Sequence, residues 1–76
     1  MPAEQPPWVL DARRAAGDRI RVRRLWLNMT QESLAYESSL DRSTIQRMEA
    51  GQEMKLSHLL LVAHALRVHV TDLLHG

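Results

Sequence analysis

Cysteine and phenylalanine are both missing from the 76 residues. The first absence removes disulfides, thiolate metal sites and thiol catalysis together, as suits a reducing cytoplasm. The second, with only two Trp and one Tyr, leaves Leu, Ile, Val, Ala and Met to build the core on helices. No strand-like alternation competes with that all-α reading. No apolar run is long enough to cross a bilayer, and Met1-Pro2-Ala3-Glu4-Gln5-Pro6-Pro7 has no signal core, so a soluble cytoplasmic protein with no membrane partner is expected. An apolar share of 45% supports one small core but not a second, ligand-sensing domain.

An enzyme also lacks its parts. His58, His64, His69 and His75 suggest a metal, but His58 and His64 do not share a helix face, and no Cys or paired carboxylate completes a ligand set. Neither metal nor other cofactor is expected. Met29, Met48 and Met54 read as core filler.

The net charge of +1 hides an uneven distribution. Arg13, Arg14, Arg19, Arg21, Arg23 and Arg24 crowd one stretch with only Asp18 among them. Beside a polyanion such a stripe supplies affinity through counterion release without reading sequence; the bland alternative is a solvated helix face.

Residues 1–7 read as a disordered, proline-rich lead to a single domain over 8–76. From Trp8 to about Leu27 the period is helical, with Val9, Ala12, Ala16, Ile20 and Leu27 on one stripe and Arg24 in it. Trp8, Ala15, Val22 and Trp26 follow a neighbouring line, and Gly17 is a candidate break into two helices. Asn28 suits a left-handed stop, Thr30 a cap, and Glu32 the positive end of a second helix over 31–38. Ser38-Ser39 makes a turn, Asp41 caps a third helix, and Gly51 ends it. Leu56, Leu59, Leu60, Ala63 and Leu66 give a fourth helix one apolar face; Val70, Leu73 and Leu74 form a short fifth.

Two short helices about one tight turn, Thr30 to Gly51, make a helix-turn-helix and point to double-stranded DNA. On the third helix Ile45 and Met48 fall inward, which leaves Arg42, Ser43, Gln46 and Arg47 outward as candidate base readers. The guanidinium fork matches the O6 and N7 acceptors of guanine. Thr30 and Gln31 open the second helix, where free N–H groups suit a DNA phosphate. Arg24 and Glu49 are each the one charge their helix turns inward, so they are expected to pair.

As a set, these residues resemble the lambda repressor and Cro-type, or XRE, family over about 17–74. They are Gly17, Ile20 and Arg24; Thr30-Gln31-Glu32 with Leu34-Ala35; Arg42-Ser43-Thr44-Ile45 with Arg47, Glu49 and Gly51; then Leu59-Leu60, Val62-Ala63, Ala65-Leu66, Val68 and Leu73-Leu74. The resemblance implies five helices and a transcriptional regulator that binds a roughly palindromic operator as a homodimer. It also implies base reading by Arg42, Ser43 and Arg47, a backbone contact by Gln31, and an internal Arg24–Glu49 pair. Ser38-Ser39-Leu40-Asp41-Arg42 is similar to the turn of restriction-modification controller proteins.

Three departures stand out. Ser39 and Arg67 occupy turn positions where the family often has Gly, at ~1 kcal/mol each if left-handed. Leu61 replaces a frequent charge and, with Trp8 and Trp26, is a candidate interface residue. The competing function is a protein-interaction module of antitoxin or adaptor type using the same fold and these residues for a protein partner. Apolar anchors on the third helix would favour that module; its polar residues favour DNA.

Overall fold

A computed structural model of the protein describes residues 5–75, which form five helices: α1 Pro7–Trp26, α2 Gln31–Ser38, α3 Arg42–Glu49, α4 Leu56–Ala65 and α5 Val70–Leu74. Of the proline-rich lead, residues 1–4 lie outside the described residues, and Pro7 is already helical. Proline suits that first position because the N–H it lacks would have had no intrahelical partner.

One apolar cluster gathers all five helices. Ile20 from α1, Leu34 from α2, Ile45 and Met48 from α3, Leu59 and Val62 from α4, Leu66 and Leu73 are essentially sealed from solvent. Each such aliphatic side chain contributes ~1.5 to 3 kcal/mol of burial before entropy is subtracted. Met29 and Met54 are partly buried and pack against this cluster.

The structure departs from the helical pattern read in the sequence at three places. Ala12 is exposed on α1. On α4, Leu56 and Leu60 face outward and Val62 takes the inward place, because α2 and α5 approach the Leu59–Leu66 side. Gly17 does not break α1, which runs unbroken through it. A Cβ there would stand 2.5 Å from the Met48 carbonyl oxygen and 2.8 Å from that of Glu49, so glycine lets α3 cross α1 at close range.

Four helices end in the same way. Asn28, Ser39, Gly51 and Arg67 all have positive φ, at 58°, 60°, 79° and 60°. The following N–H then reaches back to a carbonyl of the last turn: Met29 to Arg24, Leu40 to Ala35, Gln52 to Arg47 and Val68 to Ala63, all at 3.0–3.1 Å. That loop satisfies carbonyls the helix leaves free. The turns at Ser39 and Arg67 are therefore left-handed without glycine, and the fold carries the cost.

Candidate nucleic-acid interface

The tight turn sets α3 against α2 with a cap at each start. Thr30 Oγ1 accepts the Ser33 N–H at 3.0 Å, and the Asp41 carboxylate accepts the Thr44 N–H at 3.0 Å and the Ser43 hydroxyl at 3.2 Å. The hydrogen bonds from Thr44 hold the Asp41 carboxyl below its ordinary value, with Ser43 and nearby Arg47 acting in the same direction.

Burial of Ile45 and Met48 rotates the opposite side of α3 to solvent. Arg42, Ser43, Gln46 and Arg47 are all exposed there. Arg47 Nη2 donates to Thr44 Oγ1 at 3.2 Å, one turn back on the same helix. Arg42 Nη1 stands 4.0 Å from Glu32 Oε1 of α2. The face thus offers guanidinium, amide and hydroxyl groups from one rigid element, a donor set that matches base edges.

Thr30 is exposed at the start of α2, whereas Gln31 is half-buried and already engaged: its Nε2 donates to Glu49 Oε1 at 3.2 Å. An open cleft between the end of α1 and the starts of α2 and α3 is lined by Arg24, Leu25, Met29, Thr30, Gln31, Glu32 and Arg42.

Beneath this face Arg24 and Glu49 meet through two hydrogen bonds, Nε to Oε2 at 2.7 Å and Nη2 to Oε1 at 3.0 Å. Arg24 Nη1 also donates to the Met29 carbonyl at 2.9 Å. The guanidinium thus joins three parts: its own helix α1, the end of α3 and the turn into α2. Gln31 extends the network to the first residue of α2.

The arginine stripe of α1 divides into distinct groups. Arg13 pairs with Glu53 at 2.8 Å, Arg19 donates to the Leu73 carbonyl at 3.2 Å, and Arg23 donates to the Leu66 carbonyl at 3.0 Å. The last two satisfy carbonyls near the ends of α5 and α4 and are structural. Arg14 and Arg21 are exposed. Such pairings between residues distant along the chain have no local sequence signal, and neither does the Arg42–Glu32 approach.

The candidate interface residues are exposed but apart. Trp8 and Trp26 are 72% and 70% exposed, and Leu61 is exposed on α4. Eighteen residues of helix put the two indoles ~27 Å apart, too far for one patch. Trp26 instead lies under the Arg23 guanidinium, 4.6 Å from ring centre. Among the described residues no cluster of His, Asp and Glu is arranged to hold a metal, and no helix is long and apolar enough to cross a membrane.

Comparison with known proteins agrees with this architecture. Residues 20–73 match a family model described as helix-turn-helix. The restriction-modification controller protein C.AhdI from Aeromonas hydrophila is 36% identical, with a TM-score of 0.77 over 83% of this chain and 96% of that one. The clp gene regulator ClgR from Corynebacterium glutamicum is 31% identical, with a TM-score of 0.77 over 83% of this chain and 68% of its own. A hypothetical transcription factor from Neisseria, 31% identical, has a TM-score of 0.82 over 100% of this chain and 87% of that one. No curated protein is matched.

Proposed function

The chain belongs to the XRE-type helix-turn-helix family of DNA-binding transcription regulators, and we propose that it is a sequence-specific regulator that grips a palindromic operator as a homodimer. The observation that carries this reading is the amphipathic split of α3, with Ile45 and Met48 sealed inside and Arg42, Ser43, Gln46 and Arg47 all outside. In the proposed complex these four side chains enter the major groove, Arg42 and Arg47 read guanine, and Ser43 and Gln46 adapt to their neighbours. Thr30 and the first N–H groups of α2 hold a phosphate. Gln31 braces that contact through Glu49. Arg24 and Glu49 do not touch DNA; they hold α3 at its angle to α1 and α2.

Leu56, Leu60 and Leu61 are exposed on α4, and this is the apolar surface proposed to meet a second copy. Two subunits related by a twofold axis place their α3 helices in successive major grooves, ~34 Å apart. The site of action is the cytoplasm. Repression or activation follows from where the operator lies relative to a promoter.

Selection of binding sites from a random duplex pool tests the reading. An enriched palindrome with guanines at symmetric positions supports it. A pool that enriches nothing contradicts it and favours a protein-interaction module, for which exposed Trp8, Trp26 and Leu61 are separate anchors.

A further inference from the structure

Glu32 is an acid on the face proposed to meet a polyanion, and the proposed DNA contacts give it no role there. A carboxylate in the first turn of α2 favours the positive helix end, but it also repels the phosphate that Thr30 and the first N–H groups of α2 are proposed to hold. What distinguishes Glu32 is its neighbour: its Oε1 lies 4.0 Å from Arg42 Nη1 across the turn, with side-chain exposures of 78% for Glu32 and 58% for Arg42. Both residues line one open cleft with Thr30 and Gln31. Exposed pairs of this kind add little to stability, so the contact matters for what it does to the guanidinium.

A guanidinium carries five N–H donors in a rigid planar fork. Guanine uses two of them, through O6 and N7. A carboxylate beside one edge of the fork leaves the opposite edge free and limits the directions in which it points. It also offsets a charge that would otherwise attract any phosphate, whatever the sequence. We propose that Glu32 is a positioning residue for Arg42, turning it from phosphates toward base edges and so raising the ratio of operator binding to random binding. This rests on Arg42 reading a base.

The test is a double-mutant cycle on the full chain, using a pool-selected operator and a scrambled duplex as probes. Glu32→Gln, Arg42→Ala and the double variant are titrated by fluorescence anisotropy at several salt concentrations, with melting curves to verify folding. Glu32→Gln is expected to lower the operator-to-random ratio about fivefold to tenfold, the lower part of what one base contact discriminates. Its salt dependence on random DNA should steepen by about one phosphate contact. In the Arg42→Ala background the same substitution should leave the ratio unchanged. An unchanged ratio for Glu32→Gln, or an equal change in both backgrounds, overturns the proposal. Glu32→Ala repeats the cycle if the glutamine variant melts early. If Arg42→Ala itself keeps the wild-type ratio, the base-reading role of Arg42 falls first and this proposal with it.

Discussion

Arg24 and Glu49 close a two-bond ion pair between α1 and the last residue of α3, with side chains only 9% and 5% exposed. Helix α3 is therefore fixed at its far end by charge and at its near end by the Asp41 cap. Removing one partner strands the other in a dry site, which costs ~3 to 5 kcal/mol. Glu49→Ala should lose that much in urea unfolding. The combined Arg24→Met, Glu49→Leu variant should recover much of it, because an apolar pair leaves no charge stranded.

Gly17→Ala sets two effects of opposite sign against each other. Alanine in a helix interior is favoured over glycine by ~1 kcal/mol. Here the new methyl meets two backbone carbonyls of α3 at 2.5 and 2.8 Å, and neither can rotate away. The clash wins, so thermal melting of Gly17→Ala should fall below wild type. A rise would contradict the close approach of α1 and α3 at Gly17.

Arg67→Gly runs the opposite way. Arg67 sits at φ 60°. Relief of a left-handed non-glycine residue is worth ~1 kcal/mol, part of which the looser unfolded chain takes back. A small gain in urea midpoint is expected, with no change in DNA affinity.

Asp41 makes the start of α3 sensitive to acid. Its folded pKa is held below the ordinary 3.8 chiefly by hydrogen bonds from Thr44. Its stabilising contribution is therefore fully present above that ordinary value and disappears as pH falls through the depressed one. Asp41→Asn keeps an acceptor but no charge. Its melting temperature should lie below wild type at neutral pH, and the gap should narrow as pH falls through the region below 4. A gap that stays constant with pH would show that the charge contributes nothing.

The ends of α2 and α3 were legible in the sequence because Thr30, Asp41 and Gly51 are chemically distinctive at caps and stops. The inward positions of α3 were legible too, since Ile45 and Met48 leave its eight residues one plausible buried side. Less readable was α4, where six leucine and alanine positions suit several rotations; the approach of α2 and α5 selects Val62 over Leu60. Gly17 resembles a helix breaker locally, and only the position of α3 explains it. The arginines of α1 look equivalent along the chain, yet Arg19 and Arg23 reach carbonyls 54 and 43 residues away. No local pattern reports a partner at that distance.

The most direct measurement is the affinity of Arg47→Ala for the selected operator and for a scrambled duplex at one fixed salt concentration. If Arg47 reads a base, operator binding weakens by ~1 to 3 kcal/mol, selection at one symmetric base pair relaxes, and affinity for the scrambled duplex changes little. Equal losses on both duplexes would show that Arg47 touches only phosphate and would contradict direct reading of sequence by the outer face of α3.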